Sequence, residues 1–176
     1  MKRNLRVDEK FGKAQFRRAD IFADIRGYTY EQYRAKNMPV KFVQGTVAVS
    51  KNGVLRGLHG DFKTWKLVTV LFGEIFYVCV DVRKHSPTYL QYAYVEDMVW
   101  SEQVLVPPGF VHGYYVKSKS ALFHYEVSRY YDADKQMTIR YDEPKFDIKW
   151  PFAKDFTPIL SQRDKVTKFN GMIKEL

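Results

Sequence analysis

The chain has a single cysteine, Cys79, and only four histidines among its 176 residues. A lone thiol cannot close an internal disulfide, and Cys79 sits in the apolar run Phe76-Tyr77-Val78-Cys79-Val80, which marks it as a small buried residue rather than a nucleophile. No apolar stretch approaches the ~20 residues that span a bilayer, and the basic start Met1-Lys2-Arg3-Asn4-Leu5-Arg6 has no apolar run behind it. Neither a signal peptide nor a membrane helix is therefore expected, and the expected location is the cytoplasm. Runs of five or more lysines or arginines, internal repeats, low-complexity tracts and linkers are all absent. Cations scattered in this way argue against a nucleic-acid partner, whose groove is marked by basic stripes interleaved with aromatics.

What the chain does have is positive charge, net +9, with thirteen tyrosines and thirteen phenylalanines. Its 45% hydrophobic and 28% charged content is that of a soluble globular protein, and residues 1–176 are expected to form one domain. The net charge favours acidic ligands. Arg26, Arg56 and Lys66 all fall inside or at the ends of expected strands, where a few cations could grip the diphosphate of a nucleotide or sugar phosphate.

Apolar runs and turn signals alternate at short intervals from about Phe42 to Tyr131, which predicts an all-β middle. Lys66–Phe72 and Ile75–Val82 are expected to pair as a hairpin across Gly73-Glu74. Further strands are expected around Gln103–Val106, Gly113–Lys117 and Leu122–Ser128. Tyr30–Lys36 reads as an early helix stopped by Pro39, and Asp164–Lys174 as a C-terminal helix. Many short strands closed by a few short peripheral helices predict a jelly roll.

Two motifs bring histidines into strand-like runs: Leu55-Arg56-Gly57-Leu58-His59 and Pro107-Pro108-Gly109-Phe110-Val111-His112-Gly113. A histidine on the inner face of a barrel, beside an arginine and near Lys66, offers a base next to fixed positive charge, as enolate chemistry on a phosphate-bearing substrate needs. For either motif alone, a satisfied core histidine is the competing reading. The second has the Pro-x-Gly-x-x-His spacing of a cupin motif, in which a tight turn feeds a strand and points the histidine inward. A cupin metal site also needs a His-x-His pair and a glutamate, whereas Gly57-Leu58-His59-Gly60-Asp61 supplies one histidine where two are wanted. No metal and no cofactor are expected, since His59, His112 and His124 would converge only by accident of the fold; His85, beside Ser86-Pro87, reads as a solvated turn residue.

With these motifs in place, the chain resembles the dTDP-4-dehydrorhamnose 3,5-epimerase family, the RmlC-like cupins, through nearly its whole length. The resemblance is carried by Asp24-Ile25-Arg26-Gly27-Tyr28, Phe42-Val43-Gln44, Val54-Leu55-Arg56-Gly57-Leu58-His59, Lys66-Leu67-Val68 and Gly73-Glu74-Ile75. It continues through Val80-Asp81-Val82-Arg83-Lys84, Ser86-Pro87-Thr88-Tyr89, the Pro-Pro-Gly-Phe-Val-His-Gly segment, Tyr125, Tyr130-Tyr131, Ile148-Lys149-Trp150-Pro151 and Leu160-Ser161-Gln162-Arg163-Asp164. It implies a cupin-type jelly roll and an epimerase acting on a nucleotide-diphospho-4-keto sugar. By the resemblance His59 is the general base, Asp164 its partner, Tyr125 the opposing acid, and Lys66 the donor to the C4 oxygen. Arg56, with Arg26 from a neighbouring subunit of a homodimer, would hold the diphosphate. Gln44, Glu31, His112 and Tyr131 are the further substrate-binding positions it implies.

Each of these residues also has a structural reading. Tyr125, Tyr130 and Tyr131 suit strands of a tyrosine-rich protein, and Asp164 could cap the last helix in competition with Ser161. The chain departs from the family after His59, where His59-Gly60-Asp61-Phe62-Lys63-Thr64-Trp65-Lys66 is similar to epimerases of GDP-linked 4-keto heptoses. The nucleotide, dTDP or GDP, therefore stays open at this point. So does the carbon inverted: some RmlC-like cupins are 3,4-ketoisomerases or turn over one centre only, and a non-catalytic sugar-nucleotide-binding cupin is the non-enzyme alternative.

Overall fold

A computed structural model describes residues 2–4 and 10–169. Its strands, in chain order, are Lys2–Asn4 (β1), Lys10–Phe11 (β2), Ala14–Arg18 (β3), Ile21–Asp24 (β4), Gly27–Tyr30 (β5), Gln44–Lys51 (β6), Leu55–Asp61 (β7), Lys66–Phe72 (β8), Ile75–Asp81 (β9), Tyr92–Met98 (β10), Glu102–Val106 (β11), Phe110–Val116 (β12), Ser120–Val127 (β13) and Met137–Thr138 (β14). The described residues contain no α-helix, only the 3₁₀ turns Ala35–Asn37, Ala133–Lys135 and Arg163–Lys165.

Two six-stranded sheets are formed, the first in the order β1-β10-β9-β12-β7-β14 and the second in the order β2-β3-β11-β8-β13-β6, with β4–β5 as a separate two-stranded hairpin. This is the expected jelly roll. The hairpin between Lys66–Phe72 and Ile75–Val82 is not formed: β8 pairs with β11 and β13, whereas β9 pairs with β10 and β12. Gly73-Glu74 instead carries the chain from the second sheet to the first. Gly73 has a φ of +84°, and a Cβ there would meet the Ser120 carbonyl oxygen at 2.2 Å. A tight corner pressed against neighbouring backbone selects glycine as a hairpin turn does, so the two look alike in sequence.

The central strands of the first sheet, β9 and β12, are buried on both faces. Tyr77, Cys79, Phe110 and Tyr114 pack inward with Val68, Val70 and Phe123 of the second sheet. Leu55, Leu58, Val78, Val80 and Val111 pack outward beneath Ile139, Phe146, Ile148, Trp150 and Phe152 of the C-terminal segment. Every residue of β9 is therefore buried, and a strand covered on both sides is an unbroken apolar run in sequence. Full burial of a side chain such as Leu58 or Ile75 contributes roughly 1.5–3 kcal/mol. The outer face of the second sheet is wetter: along β6 the inward Thr46, Ala48 and Ser50 alternate with exposed Val47 and Val49.

Within the described residues neither expected helix forms. Tyr30 ends β5, and the carbonyl of Gln32 accepts a hydrogen bond from Gln103 Nε2 at 2.5 Å while Gln32 Nε2 meets His124 Nδ1 at 2.9 Å. Contacts with the second sheet thus occupy groups that a helix would turn inward, and only Ala35–Asn37 coils. At the C-terminal end, Val166 leaves the 3₁₀ turn in extended conformation, and Lys168 exchanges backbone hydrogen bonds with Thr138 at 2.7 and 2.8 Å. The remainder of the expected helix, beyond Phe169, lies outside the described residues.

Candidate active site

The arrangement of Arg56-Gly57-Leu58-His59 depends on a β-bulge. On β12, His112 lies opposite His59 and Tyr114 opposite Arg56, so two steps on β12 match three on β7. In a regular strand, residues three apart face opposite ways. The bulge cancels that, and Arg56 and His59 both line one cavity of about 270 Å³. Gly57 makes this possible: its φ is +124°, and a Cβ would lie 2.7 Å from the His112 carbonyl oxygen. Leu58, between them, points away into the outer core.

The other wall comes from the second sheet. Tyr125 of β13 is opposite Val68 of β8, and Val127 is opposite Lys66, so Tyr125 and Lys66 share the inward face and reach the same cavity. His59 and His112 therefore stand on one sheet and Tyr125 and Lys66 on the other. Asp164, in the last 3₁₀ turn, accepts a hydrogen bond from His59 Nε2 at 2.5 Å. A carboxylate can only accept, so His59 carries its proton on Nε2 and its basic lone pair on Nδ1. Asp164 is not the cap of its turn: Ser161 supplies both its backbone oxygen and its Oγ to the Asp164 N–H.

Burial raises the Asp164 carboxyl, but the hydrogen bond and charge of His59, together with Ser161 and Arg163, outweigh it and hold the group below its ordinary value. For His59 burial dominates and lowers the ring, with Asp164 opposing. His112 is pushed well below its ordinary value by burial, then by Lys66 and His59, so it is a neutral imidazole; its Nδ1, like the Tyr77 hydroxyl, is buried without a hydrogen-bond partner among the described residues. Burial draws the Lys66 ammonium down to about 8 while Asp61 opposes. Lys66 Nζ donates to Gln136 Oε1 at 3.3 Å, and Gln136 Nε2 donates to Asp61 Oδ2 at 2.6 Å.

Of the expected binding residues, Arg56, His112 and Tyr131 line the cavity. Arg56 Nε donates to Ser50 Oγ at 2.9 Å. Gln44 stands behind Tyr131, accepting its backbone N–H at 2.9 Å. Arg26 and Glu31 do not join the cavity of their own chain. Arg26 lies in the turn of the β4–β5 hairpin, paired with Asp24 at 2.5 Å, and Glu31 pairs with Arg34. His124 faces outward to Gln32, away from His59 and His112, and among the described residues no group of three histidines, cysteines or carboxylates could hold a metal. Cys79 is buried, and its thiol is pushed well up by that burial.

Among the cavity residues that escaped the sequence reading are Arg129, Arg163 and Gln136. Arg163 donates from Nε to Thr138 Oγ1 at 2.8 Å and from Nη1 to the Tyr131 hydroxyl at 2.7 Å; its place beside Asp164 in the Leu-Ser-Gln-Arg-Asp run was the available signal. Gln136, in a polar loop, had none.

A family model described as dTDP-4-dehydrorhamnose 3,5-epimerase matches residues 12–170. The enzyme of that name from Salmonella typhimurium is 36% identical over 154 residues, which cover 82% of this chain and 83% of its own. Among solved structures, dTDP-6-deoxy-D-glucose-3,5-epimerase from Legionella pneumophila, in complex with dTDP-4-keto-L-rhamnose, aligns with a TM-score of 0.85 at 34% identity, covering 95% of this chain and 93% of the other. A 3'-monoepimerase from Streptomyces bikiniensis, in complex with dTDP-quinovose, aligns with a TM-score of 0.81 at 26% identity, covering 96% and 87%.

Proposed function

The chain belongs to the dTDP-4-dehydrorhamnose 3,5-epimerase family and is an epimerase of nucleotide-diphospho-4-keto sugars, and from that premise we propose how its residues share the reaction. In a 4-keto sugar the C3 and C5 protons flank a carbonyl, so removing either gives an enolate whose charge collects on the C4 oxygen. His59, held by Asp164, takes the proton; Lys66 stabilises the oxygen; Tyr125 returns a proton to the other face. The observation that carries this reading is the position of His59 and Tyr125 on facing sheets around one cavity. Acid and base on opposite faces invert a centre, whereas a pair on one face would only exchange its proton or move the carbonyl, as a 3,4-ketoisomerase does. Arg56 and Arg163 are the diphosphate ligands of this chain, His112 and Tyr131 border the sugar, and residues 1–176 work as one domain.

The nucleotide is dTDP, the one carried in the names of the relatives. A GDP-linked sugar is the second reading, favoured by the loop Gly60–Trp65, beside which a further cavity of about 430 Å³ opens against Lys63, Arg129 and Lys135. Proton NMR in deuterated water, run with a dTDP-linked and with a GDP-linked 4-keto sugar, tests both. The expected result is loss of the H3 or H5 signal, or both, with inverted product from the dTDP sugar and slower turnover of the GDP sugar. Faster turnover of the GDP sugar would exchange the two readings, and no signal loss with either would leave a binding cupin.

The working unit is a homodimer. The β4–β5 hairpin exposes Phe22, Ile25 and Tyr28 beside Arg26, and β6 exposes Val47 and Val49, apolar surface that a second copy would cover. Arg26 then reaches the diphosphate of the partner's cavity. Light scattering at micromolar concentration should give twice the 20.8 kDa chain mass; a monomer would remove Arg26 from the site.

A further inference from the structure

Resting on the reading above, in which Lys66 meets the C4 oxygen, we propose that Gln136 and Asp61 form a relay that carries negative charge to the Lys66 ammonium and keeps it both protonated and aimed. All three side chains are buried. A buried ammonium is stable only with compensation, and Lys66 takes it at one remove, through the Gln136 amide. An amide has direction. Asp61 can only accept, so it fixes Gln136 Nε2 toward itself and leaves Oε1 for Lys66. Asp61 is itself fixed, because its Oδ1 accepts the backbone N–H groups of Lys63 and Thr64 at 2.7 Å each.

The other groups around Lys66 give it no such support. Arg163, on the 3₁₀ turn, opposes its charge. His59 of β7 and His112 of β12 are imidazoles that Lys66 in turn disfavours as cations, and Tyr125 of β13 offers a phenol on the same face. Asp61 is the carboxylate that acts on Lys66. A glutamate at position 136 beside Asp61 would place two carboxylates within hydrogen-bond distance, where one would retain its proton. The chain instead keeps the charge at Asp61 and passes it on through a dipole.

The relay has a test that does not depend on turnover. The ¹³Cε resonance of Lys66, assigned by its disappearance in Lys66→Met, is titrated in the full-length protein, and the pH profile of kcat for inversion is measured beside it. Asp61→Asn keeps an oxygen for the two loop N–H groups but offers an N–H to Gln136, reversing the amide and turning its donor toward Lys66. The Lys66 titration and the alkaline limb of kcat are expected to move to lower pH together, by about one unit or more. Asp61→Asn with Gln136→Glu returns the charge directly to Lys66 and should move both back to the wild-type pH or above it. An unmoved titration in Asp61→Asn, or no recovery in the double variant, would overturn the relay. If the titrations respond as expected while the wild type is inert on every 4-keto sugar, the relay stands and the substrate reading falls.

Discussion

Replacing His59 with asparagine is expected to abolish inversion and solvent exchange together, each by ~100- to 10,000-fold, the range for loss of a general base. Asparagine roughly preserves the size of the ring and can still donate to Asp164, so the cavity wall stays in place while the Nδ1 lone pair disappears. Because burial lowers His59 below its ordinary value of 6.5, the ring stays a free base at neutral pH, and the acid limb of the wild-type rate should lie below that value, where the ring protonates. Asp164→Asn should be milder, since it leaves the imidazole present but weakens its orientation and the stabilisation of the imidazolium. Deuterium exchange at the wild-type rate in His59→Asn would move the base elsewhere, with His112 first in line, although its burial makes it a much weaker base.

Tyr125→Phe is expected to separate the two halves of the reaction. The ring remains to pack against Phe123, whose centroid is 6.2 Å away, and only the hydroxyl is lost. His59 can still form the enolate and return a proton to the original face, so deuterium should still enter at C3 or C5 while inverted product falls by ~100-fold or more. The quantity to measure is the ratio of exchange to inversion, by NMR on one sample. Equal loss of both would make Tyr125 structural or a contributor to enolate formation, and full activity would remove it from the mechanism.

The fold class was legible because alternating short runs and glycine corners are direct consequences of a jelly roll. The pairing of the strands was not. Gly73 serves a corner between sheets as well as it would serve a hairpin, and nothing local separates Lys66–Phe72 crossing over from Lys66–Phe72 turning back. Over the described residues the two expected helices are absent for a related reason: Gln32 and Lys168 spend their hydrogen-bonding groups on partners distant in sequence, Gln103 and Thr138. At the site, His59, Lys66, Tyr125, His112, Arg56, Tyr131 and Asp164 could be named because their motifs carry a family resemblance, and the structure brings them to one cavity. The bulge at Gly57 that lets Arg56 and His59 share a face was hidden, since it is a mismatch in register with a strand some fifty residues on. Gln136 was hidden as well, because a buried amide is chosen by what it touches.

The habit of changing sheet at almost every connection also bears on how the chain reaches this form. From β6 to β14 only β9 and β10 are joined in sequence and paired in the same sheet, so nearly every ladder must close a long loop before it gains a contact. Such topologies place folding on the millisecond-to-second scale rather than the microsecond scale of local folds. During synthesis β8 and β9 leave the ribosome before β12 and β13, the strands that cover their edges, exist. In that interval the apolar run of β9 stands uncovered, and exposed apolar strand edges of incomplete chains are the surfaces that aggregate.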